Sequence, residues 1–302
     1  MSKEERYQEE LEARIHKHGV KLRKLFTKAN KNIVQEISDL YARYAESGED
    51  LVSLVYNASR LDQIMASVKT ILHALRVEEE QQLRIVWGEE YKRSVYHHLY
   101  FLEQELQVGV RLPQVNSSMV LAAVERPWQG RHFSKRIRMR TDLLAAAMED
   151  VITQGAVQGW GVTRTAKEIT FRTSESWSNA LRLARTELNR AAAQGQTTAY
   201  QANSDIVSEK EFSATLDKRT SSQCRKLDGK RYPLDYDTAD NPGREGERIP
   251  NHPNCRSYWR PVMKSRVLEK LERERSYRIG NERGYTSART YKEWAKAKGL
   301  PE

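Results

Sequence analysis

At 302 residues the chain is long enough for one large domain or two modest ones with ordinary packed cores. Hydrophobic residues make up 38% and charged residues 30%, with a mean hydropathy of -0.78, which lies toward the polar end of foldable proteins and short of the disordered class. The formal charge of +10 is uneven: residues 1–125 hold 17 Lys and Arg against 19 Asp and Glu (-2), and residues 126–302 hold 34 against 22 (+12).

Residues 1 to about 46 read as one amphipathic helix. Leu11, Ile15, Leu22, Leu25, Phe26, Ala29, Ile33, Ile37, Leu40 and Tyr44 recur at three- and four-residue steps and so share one stripe. Ser47, Gly48 and Glu49 break it. A second stripe runs from Leu51 through Leu61, Val68 and Leu72 to Leu75, and a third from Leu83 through Val95 and Leu99 to Leu106. Three helices joined by short polar breaks predict an elongated antiparallel bundle or arm, serving either as a spacer or as a face that docks on a partner's helices.

Gly109, Pro113, Asn116, Pro127 and Gly130 punctuate a mixed segment that marks a domain boundary. Ser134 then stands where it can cap a helix running to about Gln154. Thr165 and Glu168 have capping-box spacing for a short helix, and Ser176 is placed to cap the next, whose stripe runs Trp177, Ala180, Leu181, Ala184, Leu188 and Ala191. The period shifts to two at Phe212, Ala214 and Leu216, predicting a strand, with Tyr258, Trp259 and Val262 as its partner and a Gly- and Pro-rich loop at 228–254 between them. Charged helix returns at Lys264, with a short helix after Thr286. The expected fold is α+β, mostly α: an elongated N-terminal helical arm over 1–110, a compact helical domain with a small antiparallel β-sheet over 111–263, and a basic helical tail over 264–302.

Five short motifs stand in order between 126 and 262: Trp128-Gln129-Gly130-Arg131-His132-Phe133-Ser134-Lys135-Arg136-Ile137, Leu183-Ala184-Arg185-Thr186-Glu187, Asp217-Lys218-Arg219-Thr220, Leu227-Asp228-Gly229-Lys230 and His252-Pro253-Asn254-Cys255-Arg256. In sequence, order and spacing they resemble the head-morphogenesis proteins of phages, the group that includes the Mu F-like minor head proteins. The resemblance implies a structural minor capsid component at the portal vertex inside the phage head, supporting head assembly and DNA packaging or delivery. The implied partners are the portal protein, the major capsid or scaffold protein, and packaged double-stranded DNA. Where the family pattern has Cys-x-x-Cys this chain has Ser221 before Cys224, and where it has Cys-Arg-Cys this chain has Ser257 after Cys255.

That departure bears on metal chemistry. Cys224, His252 and Cys255 supply three ligands of the types zinc prefers, and a closed structural site needs four, with Asp217 or Asp228 available to complete it. A Cys224–Cys255 disulfide and a pair of neighbouring reduced thiols are the alternatives, and all three stay open. Two cysteines are too few for a secreted disulfide scaffold. Arg185 and Glu187, two apart on a helix, do not share a face. Arg185 is therefore expected to meet Asp217 or Asp228, and Arg219 to meet Glu187, fixing strand to helix by ion pairs that are costly to break.

No catalytic residue is expected. Arg185, Thr186 and Glu187 contain the residue types of an ADP-ribosyltransferase, but the contiguous layout is wrong for a nicotinamide cleft. Asp235, Asp237 and Asp240 cluster near Asp228 as a nuclease's metal ligands do, yet lie in a loop where acidic residues are ordinary turn formers. A packaged DNA-acting or ADP-ribosyltransferase-like enzyme is the alternative function. Lys264, Arg266, Lys270, Arg273, Arg275 and Arg278 come at helical intervals suited to a phosphate backbone, and they alternate with Glu269, Glu272 and Glu274, which suits a salt-bridged solvated helix equally well. Met1 to Glu12 has no apolar core and no stretch approaches the roughly 20 apolar residues of a membrane span, so a chain made in the host cytoplasm and carried in the virion, without membrane contact, is expected.

Overall fold

The computed structural model describes residues 3–48, 52–53, 58–107, 109–265, 267, 269 and 290–300. Among these the chain is mostly helical with one small antiparallel sheet. In order the elements are α1 (Lys3–Ser47), α2 (Ala58–Leu106), α3 (Ser117–Glu125), α4 (Phe133–Val157), α5 (Val162–Ala202), β1 (Val207–Ser213), α6 (Ser222–Leu227), β2 (Arg231–Pro233), β3 (Tyr258–Met263) and α7 (Tyr291–Ala297). No described helix is long and apolar enough to cross a membrane.

Two expected breaks are absent. The polar run Glu78-Glu79-Glu80-Gln81-Gln82 does not end a helix, because it is held within α2 by Gln82 donating to Glu78 and Arg84 pairing with Glu80 one turn on, while Glu79 turns inward to pair with Arg140. Likewise Thr165 and Ser176 cap nothing. Helix α5 runs through both, and its Thr170, Thr173 and Ser178 hydroxyls donate to carbonyls four residues back, a use that lets such residues sit in a helix interior. His132 takes the capping place expected of Ser134, accepting from the Ser134 amide. Helix α3, capped by Asn116, and strand β2 were not predicted.

The sheet has the order β2-β1-β3, antiparallel throughout. The expected pairing of Phe212 with the Tyr258 and Trp259 segment is present, with Phe212 opposite Trp259 and Ser213 opposite Tyr258. Strand β1 stops at Ser213, short of Ala214 and Leu216.

The chain divides into two compact units that do not follow the expected boundaries at 110 and 263: one comprises 1–15, 85–129 and 185–302, the other 16–84 and 130–184. The reason is the length of α1, α2 and α5, each of which contributes residues to both. In the second unit Phe26, Ile33, Ile37 and Leu40 of α1 bury with Val68 and Leu72 of α2, Met148 and Ile152 of α4, and Ile169 and Ala180 of α5. In the first, Tyr7, Leu11 and Ile15 pack with Leu188 and Ala192 of α5. There Gly195 lets α5 approach α2 closely, since a Cβ would lie 2.6 Å from the Tyr91 carbonyl oxygen and 2.6 Å from Ser94 Cβ. Each fully buried Leu, Ile or Phe contributes about 1.5–3 kcal/mol, so the α1 stripe is the chain's own core. It is not a free docking face.

Candidate functional site

The motif residues lie within the first unit and interlock there. Ser221 caps α6, its hydroxyl accepting from the Cys224 amide, which places Cys224 in the first helical turn with its thiol buried. Asp228 ends that helix, and its carboxylate accepts from the Ala214 amide just past β1, while Gly229, at φ +79, donates to the Phe212 carbonyl. The Leu-Asp-Gly-Lys motif is thus a turn that ties α6 back to β1, and the left-handed backbone requires its glycine.

His252 to Cys255 form a second turn, in which the Cys255 amide donates to the His252 carbonyl and Asn254 takes φ +60. Three other motifs hold it. The Asn254 amide donates to the Thr186 hydroxyl at 3.2 Å, the Trp128 indole donates to the Pro250 carbonyl at 3.0 Å, and Arg256 forks onto Asp217 at 2.7 and 2.6 Å. The Arg256 fork holds the Asp217 carboxyl below the usual carboxylate range, helped by the Arg219 amide donating to it.

These two turns bring Cys224, His252 and Cys255 together, as their types and the motif spacing suggested. Among the described residues they are the one group of three or more His, Cys, Asp or Glu whose ligand atoms cluster, all within 4.8 Å of one another. The sulfurs are 3.8 Å apart and unbonded, and Cys224 Sγ is 3.1 Å from His252 Nε2. Ser221 Oγ is 2.8 Å from the same nitrogen. A hydrogen bond with Cys255, with one from the His252 ring adding to it, brings the Cys224 thiol down to about 3, while Cys255 is pushed well above the ordinary thiol range by the same hydrogen bond, and His252 is raised by its own hydrogen bond to Cys224. Neither Asp217 nor Asp228 completes the cluster, since one is taken by Arg256 and the other by the Ala214 amide.

The expected ion pairs are different ones. Arg185 meets Glu12 of α1, Arg219 meets Asp217, and Glu187 meets Arg190 one turn on. Arg185 is taken by Glu12, while Asp217 and Asp228 are held by Arg256 and the Ala214 amide, and Glu187 is buried against Arg190 whereas Arg219 is exposed. Arg190 was missed by the sequence reading, although its three-residue spacing from Glu187 was the signal available. Lys210 was missed too. It is fully buried in β1 on the face of Phe212, over the Trp259 ring at 4.7 Å, donating to Thr197 and the Tyr236 carbonyl, and burial brings it down to about 7.

The acidic loop is no carboxylate cluster. Asp237, largely withdrawn from solvent, pairs with Arg126 at 3.0 Å, and desolvation raises its carboxyl. Of the proposed DNA contacts, Lys264 follows β3, its amide donating to the Ile206 carbonyl, and Arg266, Lys270, Arg273, Arg275 and Arg278 lie outside the described residues.

Residues 146–260 match the family model for Phage Mu protein F like protein. The chain is 30% identical over 224 residues to the minor head protein GP7 of Bacillus phage SPP1, covering 71% of this chain and 70% of that protein. The chain belongs to the Mu F-like family of phage minor head proteins. As a Mu F-like protein it is a component of the phage head with a role in head morphogenesis. It is also similar, at 28% identity over 207 residues, to an NAD(+)–arginine ADP-ribosyltransferase of Enterococcus faecalis, covering 67% of this chain and 42% of the transferase, so it spans less than half of that relative. No solved structure matches it. Of the five motifs, four serve to hold the cysteine and histidine turn or to tie the cluster to the sheet.

Proposed function

We propose that this Mu F-like chain is held at the portal vertex inside the head, supporting assembly and the packaging or delivery of DNA. The observation that carries the reading is the match to a minor head protein along 70% of that protein's length. The portal protein is the partner, with the major capsid or scaffold protein as further neighbours. Because the apolar stripe of α1 is buried, docking falls to apolar side chains left in solvent, such as Leu143, Val157 and Phe171 of the second unit. The +12 excess over residues 126–302 supports contact with packaged double-stranded DNA. Purified portal rings should retain the chain, and Leu143→Asp with Phe171→Asp should weaken retention while leaving the fold intact. DNA binding should weaken steeply with added salt.

The match to the transferase favours a second reading, transfer of ADP-ribose to arginine. Against it, the carboxylate of the Arg-Thr-Glu run, Glu187, is fully buried and paired with Arg190, so it cannot stabilise a reacting sugar. Incubation with labelled NAD and an arginine-rich acceptor should leave the acceptor unlabelled. Labelling that is lost in Glu187→Gln would favour the enzyme.

A further inference from the structure

We propose that this chain binds zinc through Cys224, Cys255 and His252, with the Ser221 hydroxyl at the fourth corner. Zinc is held tetrahedrally, with sulfur at about 2.3 Å and imidazole nitrogen at about 2.0–2.1 Å. Two sulfurs on such a tetrahedron are about 3.8 Å apart and a sulfur and a nitrogen about 3.5 Å apart. The Cys224 and Cys255 sulfurs are 3.8 Å apart, Cys224 Sγ to His252 Nε2 is 3.1 Å, and all three ligand atoms lie within 4.8 Å of one another, so the sulfur pair already has the spacing of a tetrahedral site and the His252 ring shifts to complete it.

The histidine is oriented for the role. Its Nδ1 lies 2.8 Å from the Pro253 carbonyl, and a carbonyl only accepts, so Nδ1 carries the proton and Nε2 turns its lone pair to the sulfurs. Such an outer hydrogen bond fixes the tautomer a metal needs. A fourth side chain reaches the same cluster: Ser221 Oγ lies 2.8 Å from His252 Nε2. Ser221 thus occupies a ligand's place with a weaker ligand. The rest of the surroundings, the Asn254 turn and the Arg256 fork, hold the two chain segments in register without using any ligand atom.

The test uses the full chain, purified without chelator from zinc-supplemented medium. Elemental analysis should find about one zinc per chain. Exchange for Co(II) should give the thiolate charge-transfer and tetrahedral ligand-field bands of a two-sulfur site. Cys224→Ser and Cys255→Ser should each lose stoichiometric metal. Ser221→Cys should strengthen the charge-transfer band and hold zinc against chelator concentrations that strip the parent. Absence of zinc and of any Co(II) spectrum in the unmodified protein overturns the proposal, whether its thiols then titrate as free or its mass shows a disulfide. Metal binding that Ser221→Cys leaves unchanged overturns the assignment of the fourth corner. The Co(II) spectrum of the parent decides the main question even if a cysteine variant fails to fold.

Discussion

Removal of Arg190 should be among the most damaging single changes in the chain. Its side chain is 4% exposed and that of its partner Glu187 1%, with 2.8 Å between Nε and Oε2. Arg190 also donates to the Arg126 carbonyl at 2.6 Å and lies 5.1 Å over the Trp87 ring. Arg190→Ala leaves the Glu187 carboxylate buried without this cation, and its second oxygen already has no hydrogen-bond partner among the described residues. Breaking a buried pair from one side costs about 3–5 kcal/mol. At about 2–4 °C per kcal/mol the unfolding midpoint should fall by roughly 6–20 °C. Replacing both residues, as Glu187→Leu with Arg190→Met, removes the stranded charge and should recover part of that loss. Thermal and urea unfolding followed by circular dichroism measure both. An Arg190→Ala protein within about 0.5 kcal/mol of the parent would refute the reasoning, as would a double variant no better than the single.

Other perturbations follow from the same packing. Gly195→Ala drives a methyl to 2.6 Å from the Tyr91 carbonyl and should destabilise by about 1–3 kcal/mol or more, measured by the same unfolding assays. Arg185→Ala should cost no more than about 1 kcal/mol, because Arg185 and Glu12 are 36% and 31% exposed, well short of the loss expected for a buried pair; a larger drop in midpoint would show a second role for Arg185. His18 is buried with neither ring nitrogen hydrogen-bonded among the described residues, and burial, with Lys21 adding to it, brings it down to about 4. Between pH 6.5 and 4 the unfolded chain therefore holds the extra proton, so stability falls as pH falls through that window, by up to about 3 kcal/mol for this residue. His98 shifts in the same direction, also to about 4 by burial. His18→Leu should flatten the pH dependence of the midpoint, and an unchanged slope would contradict the assignment.

Helical periodicity made α1 and the apolar faces of α2, α4 and α5 legible, because a stripe at 3.6-residue spacing needs no partner to be recognised. It failed where a local signal competed with distant packing. Thr165 and Ser176 look like caps, and only the surrounding core keeps α5 running through them. The glutamate run in α2 looks like a break, and only an arginine sixty residues away makes Glu79 an interior residue. The cysteine and histidine trio was legible from residue types and motif order, since the two turns that deliver it are encoded by their own Asp, Gly and Asn residues. The ion partners were not legible: Arg185 finds Glu12, 173 residues away, and nothing local in either sequence names the other.

Membership of the head at its portal is the central claim for this chain. The most direct measurement is quantification of this chain on portal rings isolated from assembled heads, alongside binding of the purified chain to purified rings. The chain should copurify with the rings at low copy number and bind them in isolation. Rings that carry none of it, from heads that are complete, would contradict the account.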